Sequence, residues 1–260
     1  MIEKKWCIVA GWCAITLAAM FVIPASVQAQ GAKAKAPMYS YIANWQIPRA
    51  HWAEMKSPAV NSDAMLEKAM TDGTLVGYGT DENLVHTPDG WTHDSWFSAM
   101  SMAGLLKVLQ QYYTEENSTP SVLLTSTKHW DSVFVSRYYN WHPGSYKNAF
   151  VSVAAYKLKK NAPDNALEVL SGEVVAPLLE KLVSEGTLLE YEIDTQAVHT
   201  SAPGTFFIIT ISPTPEGVDK VNAAIRADIK ANPLTEAGFD AMTESSAHRD
   251  EMGIGSGKFK

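Results

Sequence analysis

The sequence predicts an α+β fold in which one βαββαβ unit occurs twice. Two observations carry this prediction. Residues 66–87 and 179–200 align without a gap at an offset of 113 residues, and 11 of their 22 positions are identical. Segments that favour strands and helices also recur in the same order on both sides of this block. A period this long indicates duplicated domains rather than a solenoid of short repeats.

The identical positions combine apolar, glycine and polar residues. They are Leu66/Leu179, Glu67/Glu180, Lys68/Lys181, Gly73/Gly186, Thr74/Thr187, Leu75/Leu188, Tyr78/Tyr191, Asp81/Asp194, Val85/Val198, His86/His199 and Thr87/Thr200. Identity at half of the positions is far above chance, so we interpret the two halves of the chain as homologous.

The first unit is predicted to follow the order strand, helix, strand, strand, helix, strand. Its strands are rich in aromatic and β-branched residues. Gly73 suits the left-handed residue that ends a helix, and Pro88-Asp89-Gly90 predicts a turn between the second and third strands. The predicted elements are strand Met38–Gln46, helix Asp63–Met70, strands Thr74–Gly79 and Trp96–Met102, helix Gly104–Tyr113 and strand Val133–Tyr139.

The second unit repeats this order, with Gly186 after its first helix and a turn at Ala202-Pro203-Gly204. The predicted elements are strand Val151–Lys159, helix Val174–Val183, strands Thr187–Ile193 and Thr205–Ser212, and helix Gly217–Lys230. An aromatic-Asp-small element closes each unit, Trp130-Asp131-Ser132 in the first and Phe239-Asp240-Ala241 in the second. Polar sequence after the second of these predicts a degenerate last strand.

This element order is the split-βαβ, ferredoxin-like plan. The duplicated chain resembles the dimeric α/β-barrel superfamily as a single-chain tandem fusion, over residues 38–250 and without motifs of one specific member. The resemblance implies two repeats packed sheet-to-sheet as a pseudo-symmetric α/β barrel, with a ligand between the sheets or between sheet and helices. Members include cofactor-free monooxygenases, haem-degrading and haem-peroxidase relatives, and binding proteins. The fold does not choose among these functions.

The N-terminus predicts a cleaved secretion signal. Lys4 and Lys5 precede an apolar run, and the small residues at Ala25-Ser-Val-Gln-Ala29 predict cleavage before Gln30. An uncleaved membrane anchor is the alternative, because the run is close to the minimum spanning length. We expect a secreted or periplasmic chain with no membrane contact after cleavage. The predicted divisions are a signal peptide at 1–29, a linker at 30–37, units at 38–145 and 146–252, and a disordered tail at 253–260.

Cysteine content and charge exclude several classes of function. Both cysteines, Cys7 and Cys13, lie within the signal, so we expect no disulfide, thiol catalyst or iron–sulfur cluster in the mature chain. The net charge is −7 and no stripe of Lys or Arg is present, which argues against nucleic acid as a partner. The remaining partner is a small-molecule ligand, and the oligomeric state stays open.

The repeated pairs Asp81…His86 and Asp194…His199 have two interpretations. In the functional one, the imidazole binds a ligand or transfers a proton while a carboxylate orients it. In the structural one, these residues satisfy backbone groups at a hairpin. Strand alternation places Tyr78 and His86 on one face and Asp81 on the other, so Asp81 is a poor direct partner for His86.

The segment from His86 to Trp96 is the richest in chemical groups. The second copy keeps only the first histidine of this segment, and such one-sided elaboration favours an asymmetric site. His86 and His93 are therefore the candidate catalytic residues. Together with Asp94 they are also the candidate ligands of a divalent metal, although the spacing matches no strong metal signature. A polar hairpin tip capped by aromatic residues is the competing interpretation.

Aromatic residues are concentrated in the first unit. Aromatic walls with a few polar groups are typical of a small-molecule cavity, and core packing without a pocket is the alternative. Arg137 either pairs with a ligand carboxylate or faces solvent. The candidate ligand-binding residues are Asn44, Trp45, Trp96, Arg137, Tyr139, Trp141 and His199.

The sequence therefore predicts an exported protein that binds, and in one version oxidises, a small apolar or aromatic molecule in an aromatic-lined barrel cavity. A non-catalytic envelope protein with a binding or assembly role is the first alternative. A haem- or metal-dependent enzyme is the second. The sequence requires no cofactor, leaves haem or a divalent metal open, and does not decide whether the protein is an enzyme.

Overall fold

A computed structural model describes residues 31–57, 64–114 and 120–260. These residues form a closed, eight-stranded antiparallel barrel with helices on its outer face. The predicted signal peptide, residues 1–29, lies outside the described residues. None of the helices in the described part combines the length and the apolar character needed to cross a membrane.

The strands, in chain order, are β1 (Met38–Gln46), β2 (Gly77–Asn83), β3 (His93–Ala99), β4 (Lys128–Trp141), β5 (Gly144–Lys157), β6 (Glu190–Gln196), β7 (Thr205–Ser212) and β8 (Arg249–Phe259). The helices are α1 (Trp52–Met55), α2 (Ala64–Thr71), α3 (Met102–Thr114), α4 (Ala166–Val169), α5 (Ala176–Ser184), α6 (Pro215–Ala231) and α7 (Pro233–Met242). A π-helical segment, Leu170–Val175, joins α4 to α5.

The strands follow the order β1-β3-β2-β8-β5-β7-β6-β4 around the barrel. The first four strands of the chain form the group β4-β1-β3-β2, and the last four form the group β8-β5-β7-β6. Hydrogen-bonded ladders between β2 and β8 and between β4 and β6 join the two groups along their edges. The inward faces of both groups therefore surround one interior.

Local sequence explains where the paired elements begin and end. Gly73 and Gly186 have φ values of 82° and 71°, the left-handed conformation that ends α2 and α5. Leu75 and Leu188 follow them, and each amide donates 3.1 Å back to its helix, to Ala69 O and Leu182 O respectively. Because these amides are used by the helix ends, β2 and β6 begin three residues later than predicted.

Two apolar layers lie between the helices and the outer face of the barrel. Leu66 on α2 and Leu105 on α3 pack against Phe97 of β3. In the other half, Leu182 on α5 packs in one cluster with Phe206 of β7. The opposite faces of the strands therefore point into the barrel, and their residues line its interior.

The prediction of a disordered tail at residues 253–260 was wrong, because these residues belong to β8. This strand pairs with β2 on one side and β5 on the other, and Phe259 is only 2% exposed. The alternating glycines Gly253, Gly255 and Gly257 conceal the strand from a hydrophobicity pattern. The last strand of the second half is therefore complete rather than degenerate.

Two other expectations differ from the structure. Trp130-Asp131-Ser132 lies in β4, whereas Phe239-Asp240-Ala241 lies in α7, so these elements are not equivalent. The described part of the predicted linker is hydrogen-bonded to the π-helical segment and to β4. The amide of Ala32 donates to Gly172 O at 2.8 Å, and that of Lys35 donates to Arg137 O at 2.7 Å.

Candidate functional site

Among the described residues, five buried carboxyl groups lie inside the barrel. Asp81 on β2 and Asp94 on β3 are cross-strand partners and therefore point to the same face. Three more acids occupy alternate positions of β6, which places them on one face as well. All five side chains are buried: Asp81, Asp94, Glu190, Glu192 and Asp194. The interior is consequently acidic, in contrast to the apolar layers outside it.

Glycines on β8 make room for these groups. Gly255 is paired with Asp81, and a β-carbon built on Gly255 would lie 1.7 Å from Asp81 Oδ1. A β-carbon on Gly257 would lie 2.7 Å from the hydroxyl oxygen of Tyr146. The glycine-rich strand thus allows side chains from its two neighbours to enter the interior.

A cavity of about 60 Å³ lies within the barrel. Its apolar wall is formed by Ile42, Trp96, Val151, Val153, Ile209 and Ile211. Its polar wall is formed by Ser40, Asp81, Asp94, Ser98, Glu190 and Glu192. The cavity is well below the ~300 Å³ at which pockets begin to hold drug-sized ligands.

Aromatic side chains lie at both ends of this interior. At one end, the ring of Phe259 stacks near those of Trp96 and Trp141, with centroid distances of 5.3 and 5.7 Å. At the other end, Trp91 lines the cavity and its indole N–H donates to Glu251 Oε2 at 2.6 Å.

Burial raises the pKa of every carboxyl in the cluster. It raises the pKa of Asp81 to about 7 and that of Glu190 to about 8. Burial, then the negative charge of Asp81, raises the pKa of Asp94 well above its ordinary value. Burial and the neighbouring Glu190 do the same for Glu192, and burial and Glu192 for Asp194.

No positive group in the described part of the chain offsets these charges. None of the ion pairs formed by Lys, Arg or His within 4.0 Å involves a member of the cluster. Several acceptor atoms also receive no hydrogen bond from the described residues: Asp81 Oδ1, Asp94 Oδ1 and both carboxyl oxygens of Asp194. Buried polar groups without partners are rare in folded proteins, so these atoms mark a candidate binding site.

The structure separates Asp94 from the other two predicted metal ligands, His86 and His93, which both lie against the ring of Trp52. His86 is exposed in the loop after β2, where its ring lies 4.7 Å from that of Trp52. His93 is buried on the outer face of β3, and burial lowers its pKa. Asp94 points into the barrel. Accordingly, the described residues contain no group of three or more His, Cys, Asp or Glu side chains placed to hold a metal ion.

The predicted ligand-binding residues divide between the interior and the surface. Trp96 lines the cavity, and Asn44 is the cross-strand partner of Asp94. Tyr139 and Trp141 stack on each other at 5.4 Å beside Phe259, so both belong to the aromatic end of the barrel.

Three other predicted residues lie away from the cavity. Trp45 faces outward and stacks on His129 at 5.1 Å. Arg137 is exposed at an irregularity of β4, which corresponds to the solvent-facing alternative. His199 is exposed and lines a separate cleft of about 190 Å³ beside Phe206.

Sequence reasoning did not single out Glu190, Glu192 or Tyr146. A signal for the acids was present, because Glu190, Glu192 and Asp194 alternate with Tyr191 and Ile193 along the strand. Such alternation predicts one acidic face, yet the exposed face of a strand is its ordinary location. Only barrel closure turns that face inward.

Two repeated residues attach a helix to the barrel wall in each half. The hydroxyl of Tyr78 donates to Glu67 Oε1 at 2.7 Å, and that of Tyr191 donates to Glu180 Oε1 at 2.8 Å. A lysine also binds each glutamate at 3.1 Å, Lys258 in the first half. In the second half, the lysine is Lys35, which binds Glu180. The repeated Tyr and Glu are therefore structural.

Solved structures match this fold, although no protein-family model and no curated protein sequence matches the chain. A proposed monooxygenase from Lactobacillus acidophilus NCFM has 12% identity and a TM-score of 0.58, over 85% of this chain and 94% of that chain. A proposed monooxygenase from Fusobacterium nucleatum subsp. nucleatum has 10% identity and a TM-score of 0.55, over 87% and 95%. A proposed chlorite dismutase has a TM-score of 0.43.

The similarity between this chain and these solved structures is a similarity of fold. The chain shares the α+β barrel fold of the two solved structures from Lactobacillus acidophilus and Fusobacterium nucleatum. At 12% identity or less, the likeness does not extend to a reaction or a substrate.

Proposed function

We propose that the protein binds a small molecule inside the barrel, in the carboxyl-lined cavity. One observation carries this proposal. Asp81 and Asp94 are each 8% exposed, line the cavity and have a carboxyl oxygen that receives no hydrogen bond from the described residues. Burying such groups is costly when they have no partner, so a ligand that supplies donors would recover part of this cost.

The cavity limits the size of the ligand. An apolar cavity of roughly 150 Å³ binds benzene, whereas this one measures about 60 Å³. In this conformation the site therefore suits a molecule smaller than an aromatic ring. This is a narrower ligand class than the small apolar or aromatic molecules that the sequence favours.

Matched variants test this proposal. Ile209 lines the cavity, whereas Ile225 lies on α6 and is exposed. Saturation-transfer NMR with a panel of molecules smaller than benzene should detect binding to the wild-type protein and to Ile225→Phe. The same panel should lose its signal with Ile209→Phe, because the added ring fills the cavity. Equal binding to both variants would place the ligand elsewhere and refute the proposal.

Oxidation of the bound molecule is a second candidate activity. Its support is the fold shared with two proposed monooxygenases and a carboxyl group, Asp81, whose pKa of about 7 suits proton transfer near neutral pH. Molecular oxygen would be the oxidant. An oxygen electrode would record uptake when a ligand found by the NMR panel is added. Uptake that persists unchanged in Asp81→Asn would argue against this role for the carboxyl.

We also propose that the barrel is a tandem of two ferredoxin-like units related by pseudo-symmetry, and that the chain is exported. The equivalent Tyr–Glu hydrogen bonds and the glycines with positive φ support the first proposal. The signal pattern supports the second. Intact-mass analysis of protein from a periplasmic extract should give a chain that begins at Gln30.

A further inference from the structure

We propose that the ligand of the barrel cavity is a small organic cation, namely a primary alkylammonium ion. This inference rests on the proposed function, since it assigns a chemical class to the molecule bound at the same site. Three features of the cavity carry it: the sign of the charged groups, the hydrogen-bonding capacity of the unpartnered atoms, and the apolar wall.

The charged groups of the cavity are all acidic. Asp81 and Asp94 enter from β2 and β3, and Glu190 and Glu192 enter from β6. An anionic ligand would be repelled by every ionised carboxyl of this wall. A cation is attracted to these groups and is the one charged class that this wall favours.

The unpartnered oxygen atoms specify donors. The carboxyls of Asp81 and Asp94 are hydrogen-bonded to each other. Both side chains are more than nine-tenths buried, and Asp81 Oδ1 and Asp94 Oδ1 receive no hydrogen bond from any other described residue. An ammonium group offers three N–H donors and no acceptor. It can therefore supply donors to both aspartates and still contact a third carboxyl or the hydroxyl of Ser40 or Ser98, which also line the cavity.

The remaining wall and the volume specify the rest of the molecule. Ile42, Val151, Ile209 and Ile211 form an apolar surface that suits a short alkyl group. A volume of about 60 Å³ restricts that group to a few carbon atoms. A metal ion fits less well, because the described residues present no group of three or more ligands arranged around one point.

Protons already held by the cluster make the inference testable in a second way. The groups that face one another are Asp81, Asp94, Glu190, Glu192, Asp194 and Tyr146, with Glu251 beside Trp91 at the cavity end. The five buried carboxyls have no positive neighbour among the described residues, and burial raises the pKa of each, so this group retains protons near neutral pH: Asp81, Asp94, Glu190, Glu192 and Asp194. An ammonium ion favours their ionised forms and should displace protons as it binds.

The experiment is isothermal titration calorimetry on the mature protein at pH 7 and constant ionic strength. The three probes are similar in size and differ in charge: ethylammonium chloride, ethanol and sodium acetate. We expect ethylammonium to bind at least tenfold more tightly than ethanol, and acetate not to bind. Repeating the titration in buffers of different ionisation enthalpy should reveal proton release with ethylammonium alone.

Variants that replace a cavity carboxyl by an amide provide a second test of the inference. Asp81→Asn and Glu190→Gln should each weaken ethylammonium binding at least tenfold. Asp89→Asn is the matched control, because Asp89 is exposed and pairs with Lys128 outside the barrel. Urea unfolding of each variant confirms that it is folded.

The outcomes separate the two proposals. If ethanol binds and ethylammonium does not, the cation inference is refuted while the cavity remains a small-molecule site. If none of the three probes binds, both proposals are overturned. If Asp81→Asn and Asp89→Asn bind ethylammonium equally, the cation is held on the surface and the inference is refuted.

Discussion

The carboxyl group of Asp81 occupies the space in front of Gly255 on the adjacent strand. The two residues are partners in the β2–β8 register, and a β-carbon at position 255 would lie 1.7 Å from Asp81 Oδ1. Residue 255 must therefore be glycine for Asp81 to keep this orientation. The acid cluster of the interior and the glycine-rich C-terminal strand thus depend on each other.

Gly255→Ala should destabilise the protein, because the new methyl group forces Asp81 out of place or separates β2 from β8. We expect a loss of about 1–3 kcal/mol in the free energy of unfolding, as for other overpacked interiors. Urea unfolding monitored by tryptophan fluorescence measures it. Gly238→Ala on α7 is the control, since nothing lies within 4 Å of its β-carbon position. Its helical site predicts a small gain in stability.

The stability of the protein should fall as pH rises from about 4 to about 8. The pKa of Asp81 rises from 3.8 to about 7 on folding and that of Glu190 from 4.5 to about 8. In this window the folded state binds more protons than the unfolded state, so the free energy of unfolding decreases with pH, by roughly a few kcal/mol. Below pH 4 this contribution is fully present.

Urea unfolding at pH 5, 6, 7 and 8 checks the pH dependence. Asp81→Asn and Glu190→Gln should flatten the profile, because the amides do not titrate. Asp89→Asn should keep the wild-type slope, since its exposed carboxyl has a pKa lowered by Lys128 and stays ionised in this range. A wild-type profile that rises toward pH 8 would contradict the assignment of protons to the cluster.

Phe259→Ala should be among the most destabilising single substitutions in the chain. Phe259 is 2% exposed and contacts the rings of Trp96, Trp141 and Tyr146 at the barrel end. Removing the ring leaves a cavity, and we expect a loss of about 3–5 kcal/mol. Leu234→Ala, at a site that is 86% exposed, should change stability by less than about 0.5 kcal/mol. Equal urea midpoints for the two variants would show that the C-terminal residues do not close the barrel.

The repeated Tyr–Glu hydrogen bonds should contribute unequally. Tyr191→Phe removes the hydroxyl donor of Glu180 at a residue that is only 1% exposed, beside a Glu180 side chain that is 32% exposed, and we expect a loss of about 1–2 kcal/mol. Tyr78→Phe should cost less than about 1 kcal/mol, because the Glu67 side chain is 47% exposed. Thermal unfolding of both variants, with Tyr113→Phe at an exposed position as control, measures the difference. A larger loss for Tyr78→Phe would indicate that burial does not set the strength of this contact.

Several elements were predictable because their signals are local. β7 matches its predicted bounds, Thr205–Ser212, since an apolar run lies between two turn sequences. Gly73 and Gly186 end their helices as predicted, because only the neighbouring backbone decides that conformation. The site was less predictable. Its most local candidates, His86 and His93, lie outside the cavity, whereas Trp91, Asp94 and Trp96 of the same segment line it.

By itself, the sequence determined the recurrence of one segment at residues 66–87 and 179–200, the order of strands and helices, and the acidic alternation along β6. These properties depend on residues that are close in the chain. The tertiary structure decided which strand faces are enclosed, since alternation defines two faces without saying which one turns inward. The tertiary structure also decided which residues contact Asp81. Gly255 lies beside Asp81 only because β8 is inserted between β2 and β5. Closing a barrel is a long-range event, and it converts an ordinary polar face into a buried cluster of acids.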